Sequence, residues 1–497
     1  MSIKNDINKI LLKKFPHLEI SVVKYSEVQT DNESKRIDSE YFKQAYLENE
    51  KILKNLSIGC EKLGNLIYKM TGGATPLGAD YPERGIPFLR VQNIMPNYFN
   101  LNDIVYISNE DDEFLKRSKL KIKDVLLTIT GAYGKAAVVY KDLVGANINQ
   151  HSVKIEVKNI NPYFLATFIN SKHGQLQCHK KITGVTRPAL DYRAIKNFLI
   201  PMFSKEFQLE IETMVKDSHK ALENSKKLYK EAEKILYEAL GLDAENPLES
   251  ILSFREKNKV IHNHLKRYKR LNISIRTYKE SYLKTGRLDA EYYQVKYDLI
   301  ENVIKDYSKG YCKLSDIGFF TNGSFIPESF YTEQAKRAYI RIKELSLDSP
   351  INMKDCIYIN DKFKNSNETI VKENDFVIAT IGNTIGKINL ITKELEGSFI
   401  SNNTSRFRLT DKNVNPIFLE LLLRNSIVQE QIQREFTQTA QPKISNNSLE
   451  NIIIPKIDYI IQKKIESRIK KSLELRDKNK ELLENAKVKI ENAIIDS

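Results

Sequence analysis

The chain repeats itself. Arg36-Ile37-Asp38-Ser39-Glu40-Tyr41-Phe42 returns 251 residues later as Arg287-Leu288-Asp289-Ala290-Glu291-Tyr292-Tyr293. The same offset carries Lys62-Leu63 onto Lys313-Leu314, Gly72 onto Gly323, Pro76 onto Pro327 and Arg90 onto Arg341. It also carries Asp124 onto Asp375 and Gly131 onto Gly382. One inserted residue then brings Gly134-Lys135 onto Gly386-Lys387. At an offset of 254, Asn161-Pro162-Tyr163-Phe164 matches Asn415-Pro416-Ile417-Phe418, and Pro188, Pro201 and Gln208 match Pro442, Pro455 and Gln462. Chance does not hold a register over so long a stretch. The chain is a tandem duplication, and its period far exceeds the roughly 20–50 residues of a solenoid unit. Two similar domains are therefore expected, in keeping with 497 residues.

Each copy carries strand-like runs: Ile86–Ile94, Asp124–Thr130 and Val153–Val157 in the first, Ala338–Leu345, Asp375–Ile381 and Ser405–Leu409 in the second. Broken by Gly, Asn and Pro and mixed with a few helices, they predict an α+β domain on an irregular mixed sheet. Each copy then ends in a long helix. Ile211, Val215, Ser218, Leu222, Ser225, Tyr229, Ala232, Leu236 and Ala239 step alternately by four and three, the seam of a coiled coil. The second seam reads Ile465, Ile469, Ser472, Arg476, Asn479, Leu483, Ala486, Ile490 and Ala493, with polar breaks at Arg476 and Asn479. The two helices can bury these seams against each other as an intramolecular antiparallel coiled coil; the alternative is that each packs on its own domain. The resulting division is a leader (1–35), a first domain (36–204), a central helix (205–241), a basic linker (242–286), a second domain (287–458) and a C-terminal helix (459–497). Within the linker, Arg255, Lys257, Lys259, Lys266, Arg267, Lys269 and Arg270 face Glu256 alone, which reads as a solvated connection or a phosphate contact.

Charge narrows the partners. With 78 Lys and Arg against 64 Asp and Glu, the net charge is +14, which suits a polyanion such as nucleic acid. Cys60, Cys178, Cys312 and Cys356 form no CxxC pair, so neither a disulfide scaffold nor a zinc site is expected, and a cytoplasmic location is. No apolar run approaches the roughly 20 residues that span a bilayer, and the first residues lack the apolar core of a signal peptide.

Catalytic constellations are sought without success. Gly131-Ala132-Tyr133-Gly134-Lys135 and Gly382-Asn383-Thr384-Ile385-Gly386-Lys387 fail the phosphate-loop spacing, and Ala136 and Ile388 stand where a magnesium-binding hydroxyl is required, so a turn beside a strand is expected. Asn161-Pro162-Tyr163-Phe164 lacks the second proline of the amino-methyltransferase tetrapeptide and reads as a helix N-cap with proline following. Glu156-Val157-Lys158 has no Pro-Asp partner for a nuclease site. No catalytic residue, cofactor site or metal site is assigned. A duplicated, diverged pair of domains suits a reader of two different sequences better than an enzyme.

Further residues carry a resemblance. Lys62-Leu63-Gly64 leads to Gly72-Gly73-Ala74-Thr75-Pro76 and Ile86-Pro87-Phe88-Leu89-Arg90-Val91. Thr186-Arg187-Pro188-Ala189-Leu190 runs to Phe198-Leu199-Ile200-Pro201, and the second copy has Ala440-Gln441-Pro442-Lys443-Ile444 and Ile452-Ile453-Ile454-Pro455. In this order and repeat the chain resembles the specificity (S) subunit of Type I restriction-modification systems, over nearly its whole length beyond residue 36. It departs in its leader and in Asn322-Gly323-Ser324, which replaces the Gly-Gly-x-Thr-Pro phrase.

The resemblance implies two target-recognition domains, each followed by a long helix, that read the halves of a bipartite, asymmetric target in double-stranded DNA. It implies no chemistry in the chain itself. Modification (methyltransferase) subunits, two of them, would bring S-adenosylmethionine and methylate the base; a restriction subunit would translocate and cleave. Candidate DNA contacts are polar residues on loops recurring in both copies: Thr75, Arg90, Gln92, Asn93, Lys135, Gln150, Thr186 and Arg187, then Asn322, Arg341, Lys343, Lys387, Asn402, Gln441 and Lys443. Arg, Asn and Gln suit bidentate base contacts and Lys suits phosphate. Positions repeated in both copies, such as Arg90/Arg341 and Lys135/Lys387, can instead serve the shared fold. The competing readings are a tandem RNA- or protein-binding scaffold and a stand-alone DNA-modifying enzyme.

Overall fold

The apolar runs of each repeat pair into a four-stranded antiparallel sheet and a smaller mixed one. The computed structural model describes residues 7–497 apart from 8–9, 12, 31–34, 77, 79–80, 185, 252–273, 334, 364–368 and 437–440. The basic run between Arg255 and Arg270 lies outside the described residues. The chain divides into two units, Met1–Glu223 with Leu475–Ser497, and Asn224–Glu474, so each long helix gives one part of itself to each unit.

In the first unit, β1 (Ile67–Gly72), β2 (Val125–Thr128), β3 (Ala136–Val138) and β4 (Ser152–Val157) pair in the order β1-β4-β2-β3. Strand β2 is buried along its whole length, with Val125, Leu126 and Leu127 covered on both faces. Val125 and Leu127 pack with Phe164, Leu165 and Phe168 of helix α1 (Pro162–Asn170) and with Cys178 of α2 (Lys172–Lys181). Leu126 packs the other way, against Leu89, Ala137 and Ile148. That second core lies under a small mixed sheet in which Ile86–Leu89 runs antiparallel to Val105–Ile107 and parallel to Asn147–Ile148. The strand expected to reach Ile94 stops at Leu89, because the Asn93 side chain accepts the Arg90 N–H and turns the chain through Val91–Asn93.

Helix α3 (Lys205–Ala239, 35 residues) follows. At ~1.5 Å per residue it is roughly 52 Å long. Ser204 Oγ caps it by accepting from Phe207 N at 3.2 Å, and Gln208 ties it to the domain by accepting from Asn161 N at 2.8 Å.

The second unit repeats the plan. Strands β5 (Gly318–Asn322), β6 (Asp375–Ala379), β7 (Ile388–Leu390) and β8 (Thr404–Leu409) pair as β5-β8-β6-β7. Phe376 and Ile378 face helices α4 (Pro416–Arg424) and α5 (Ser426–Arg434), while Val377 and Ala379 face a second core with Ala338, Ile340 and Ile400. Arg337–Ile340 runs antiparallel to Ile357–Ile359 and parallel to Phe399–Ile400. Asn415 caps α4 as Asn161 caps α1, each accepting from the second and third backbone N–H groups after it, with proline at the first helical position. The tetrapeptide is a helix start in both copies. Helix α6 (Tyr459–Ile495) ends the chain's regular structure, with Gln462 accepting from Asn415 N at 2.8 Å as Gln208 does in the first unit.

The heptad seams pair within each unit. In the first, Ile211 and Val215 share a core with Leu483, Ala486, Ile490 and Ile494; Asn479 donates to Ser218 O at 2.9 Å and Lys489 reaches Glu210 at 2.6 Å. In the second, Ala232 and Leu236 share a core with Ile465 and Ile469; Ser225 and Ser472 hydroxyls lie 3.0 Å apart and Arg468 reaches Glu231 at 3.2 Å. Partners fall in α6 as they rise in α3, so the helices are antiparallel. Each buried Leu or Ile contributes roughly 1.5–3 kcal/mol. Asn479, a polar break in the apolar pattern, is buried with its amide satisfied.

One register differs from the sequence reading. In β1, Lys69 opposes Glu156 but Ile67 opposes Val157, so Tyr68 is an extra, bulged residue that β5 lacks. Gly73, not Gly72, is therefore the counterpart of Gly323. A Cβ on Gly73 would stand 2.2 Å from Ile148 O and 2.3 Å from Asn149 O; on Gly323 it would stand 2.6 Å from Ile400 O and 2.1 Å from Ser401 O. Gly72 instead matches Asn322. Its missing side chain makes room for the Tyr192 hydroxyl, 2.0 Å from where a Cβ would be.

A buried cation also recurs. Lys154 lies 3.4 Å from Asp124 and from Glu156 and donates to Lys119 O at 2.8 Å. Its counterpart Arg406 lies 4.0 Å from Asp375, which Arg408 grips at 2.6 and 2.8 Å. Glu156 is thus part of an ion-pair group on a strand. No described helix is long and apolar enough to cross a membrane.

Candidate nucleic-acid interface

Backbone hydrogen bonds draw the candidate loops of the first unit to one end of its sheet. Gly73 N donates to Ser152 O at 3.1 Å and Ala74 N to Ile148 O at 3.2 Å, so the loop after β1 lies along the segment before β4. Asn149 N donates to Leu89 O at 3.1 Å, bringing in Arg90. Ile129 N donates to His151 O at 2.9 Å and Leu190 N to Ile129 O at 2.8 Å, bringing in the turn before β3 and the Thr186-Arg187 loop. That last loop is closed by two hydrogen bonds of 2.9 Å between Thr183 and Ala189.

The second unit makes the same five bonds between loops. Gly323 N donates to Thr404 O at 2.9 Å; Ser324 N to Ile400 O, Ser401 N to Ile340 O, Thr380 N to Asn403 O and Ile444 N to Thr380 O each measure 3.0 Å. The scaffold is shared, while the side chains on it differ.

Thr75 and Gln150 meet directly, the threonine hydroxyl donating to the Gln150 carbonyl oxygen, and both are exposed. Thr186 and Arg187 are exposed on their closed loop. Lys135 sits at the start of β3, half-buried, with Nζ 3.7 Å from Met95 Sδ. Arg90, Gln92 and Asn93 converge on Asp103. Arg90 Nη2 donates to its backbone carbonyl at 2.7 Å, Gln92 Nε2 to Oδ2 at 2.6 Å and Asn93 Nδ2 to Oδ1 at 2.8 Å. Asn93 is fully buried and also donates to Asn100 O at 2.9 Å, so its amide holds the turn rather than facing outward.

In the second unit Asn402, Lys343, Gln441 and Lys443 are exposed on the corresponding loops, and Lys387 is half-buried at the foot of β7. Asn322 Oδ1 accepts from Ser405 Oγ at 3.0 Å. Arg341 is held by Glu344, which accepts its backbone N–H at 2.8 Å and its Nη2 at 2.6 Å, while Lys343 lies 3.6 Å from the same carboxylate. Position 93 in one copy and 344 in the other thus do one job, accepting the N–H of the repeated arginine.

Sequence reasoning missed Asp103, which carries no periodic or motif signal, and Tyr192, whose hydroxyl abuts Gly72. The Gly131 and Gly382 segments are turns between antiparallel strands, with φ of +73° and +75°. Gly382–Thr384 makes a single 3-10 turn, and each segment leads into a strand rather than opening an α-helix, as a phosphate loop must. Among the described residues no group of three or more His, Cys, Asp or Glu is placed to hold a metal ion. All four cysteines are unpaired.

A family model described as the Type I restriction modification DNA specificity domain matches residues 60–234 and again 309–489. The Type I restriction enzyme EcoBI specificity subunit of Escherichia coli is 33% identical over 174 residues, 34% of this chain and 36% of that protein, so the match spans about a third of the relative's length. The Type I system S subunit from M. genitalium superposes with a TM-score of 0.41 at 13% identity, covering 88% of this chain and 94% of that one. For the HsdS subunit from Thermoanaerobacter tengcongensis the TM-score is 0.27 at 13% identity, with 88% and 96% covered. Matched twice, over more than half of its length, the chain belongs to the family of Type I restriction modification DNA specificity domains.

Proposed function

We propose that the chain is the DNA-reading subunit of a Type I restriction-modification complex, with each unit reading one half of a bipartite, asymmetric target. The observation that carries this is the double match to a DNA specificity domain on two units that hold different polar side chains on one repeated loop scaffold. Phosphate contacts from the basic excess supply affinity; base-edge contacts supply specificity.

In the first unit Thr75, Gln150, Thr186 and Arg187 face the bases, with Arg90 and Gln92 oriented by Asp103 and Asn93, and Lys135 on phosphate. In the second unit Asn322, Asn402, Gln441 and Arg341 face the bases, with Lys343, Lys387 and Lys443 on phosphate. Each well-placed bidentate contact discriminates by about 1–3 kcal/mol. Because Gln150-His151 becomes Asn402-Asn403 and Gln92 becomes Lys343, the half-sites differ.

Chemistry belongs to partners in this reading. Two modification subunits dock on the paired helices and carry S-adenosylmethionine, and a restriction subunit completes the assembly in the cytoplasm. The name of the E. coli relative, a specificity subunit of a restriction enzyme, supports this division of labour. Selection from a random duplex pool by the chain with its modification subunits tests it. Two short motifs separated by an unread spacer are expected, displaced by duplex DNA and not by RNA. An unselective pool, or equal displacement by RNA, overturns the reading, as does methyl transfer by the purified chain alone.

A further inference from the structure

The phrase that opens each repeat has no place in the loop cluster. Arg36 and Asp38 lie in the first unit, Arg287 and Asp289 in the second. What they do reach is the end of a helix. Asp38 takes one edge of the Arg36 guanidinium, accepting from Nε at 2.7 Å and Nη2 at 2.6 Å. The remaining nitrogen, Nη1, donates to Ile182 O at 2.6 Å and Lys180 O at 3.4 Å. These carbonyls belong to the last turn of α2 and the residue after it, where no intrahelical N–H is left to bond them. A cation there also suits the negative end of the helix dipole.

The rest of the phrase holds the arginine in place. Asp38 accepts from Tyr41 N at 3.2 Å, and the buried Tyr41 ring lies 5.1 Å from the guanidinium. In the second unit Asp289 accepts from Arg287 Nε at 2.7 Å and Nη2 at 2.9 Å, and from Tyr292 N at 3.1 Å. Arg287 donates to Phe436 O at 2.9 Å and Arg434 O at 3.3 Å, at the end of α5. The Tyr292 ring lies 4.4 Å from the Arg287 guanidinium and 4.5 Å from that of Arg434.

Ile182 immediately precedes Thr183, the first residue of the closed loop that exposes Thr186 and Arg187. Phe436 occupies the equivalent place ahead of Gln441 and Lys443. The same bonds recur although the loops they precede differ, so what is kept is the grip and not what is gripped. We propose that Arg36 and Arg287 are positioning residues for target reading, each clamping the stem of its own unit's recognition loop. This rests on the function proposed above. Lysine cannot replace them, because one ammonium has no planar fork to meet a carboxylate and two carbonyls together.

The test repeats the random-duplex selection with the full chain bearing Arg36→Lys or Arg287→Lys, and follows hydrogen exchange at Thr183 and Ala189. With Arg36→Lys, enrichment of the best first half-site over its single mismatches should fall about tenfold, the effect of losing one charge-assisted contact. The second half-site should be unchanged, and Arg287→Lys should do the reverse. Thr183 and Ala189 should exchange faster in Arg36→Lys while Val125–Thr128 keeps its protection. Wild-type enrichment at the matching half-site, an even loss at both, or unchanged exchange overturns the clamp. A wild-type chain without half-site preference instead overturns the function on which the clamp rests.

Discussion

Gly73→Ala is the substitution whose cost the structure defines most sharply. The new Cβ would stand 2.2 and 2.3 Å from two backbone carbonyl oxygens, and backbone in a sheet cannot step aside as a side-chain tip can. Relief requires moving the segment after β1 off the segment before β4. That sacrifices the bonds Gly73 N to Ser152 O and Ala74 N to Ile148 O. Two hydrogen bonds at about 1 kcal/mol each, with ~1–3 kcal/mol of overpacking, give roughly 3–5 kcal/mol. At an m-value of about 3 kcal/mol/M the urea midpoint of the first unit should fall by roughly 1–1.7 M. Gly131→Ala is the control. Nothing lies within 4 Å of its Cβ, so only the left-handed backbone at φ +73° costs, about 1–2 kcal/mol. Gly323→Ala should do to the second unit what Gly73→Ala does to the first. Pulse proteolysis across a urea gradient, with fragments assigned by mass, reads the two units separately. A Gly73→Ala midpoint no lower than that of Gly131→Ala would refute the packing argument and the register that pairs Gly73 with Gly323.

Other outcomes follow from single contacts. Gly72→Ala drives a Cβ against the Tyr192 hydroxyl, so adding Tyr192→Phe should restore most of the lost stability; a double variant as unstable as the single one would contradict this. Asp375→Asn leaves buried Arg406 and partly buried Arg408 without their carboxylate and should destabilise the second unit by about 3 kcal/mol, read as a lower urea midpoint. Burial holds the His219 imidazole below its ordinary pKa, partly offset by its 2.6 Å hydrogen bond to Asn97 O. The unfolded chain then binds the proton more readily, so stability is full above about pH 6.5 and is lost as pH falls through the folded value. The first unit's urea midpoint should therefore drop between pH 7 and 5, and His219→Gln should flatten the drop; an equal slope in the variant would refute it.

Periodic features could be read before the structure, and side-chain convergence could not. The heptad steps of Ile211, Val215, Ala232 and Leu236 reported a buried stripe directly, and all four are buried. The Asn-Pro starts of α1 and α4 were local, since an N-cap involves only its own turn. The repeat itself announced two like units. By contrast, the Asp103 hub joins residues ten to thirteen positions upstream through a turn that no pattern marks. The Tyr68 bulge shifts a register by one without changing composition, which is why Gly72 was paired with Gly323. Exposure on a loop was legible for Thr186 and Arg187, whereas Asn93 lies in an equally polar stretch and points inward.

The central claim is that each repeat reads its own half of the target. Replacing residues 36–200 with the corresponding domain of another family member, then sequencing the methylated sites made with the modification subunits, tests it most directly. One half of the recognition sequence should change while the other half stays as in the wild type. A site whose two halves both change, or a wild-type site that is one continuous palindrome, would contradict the account.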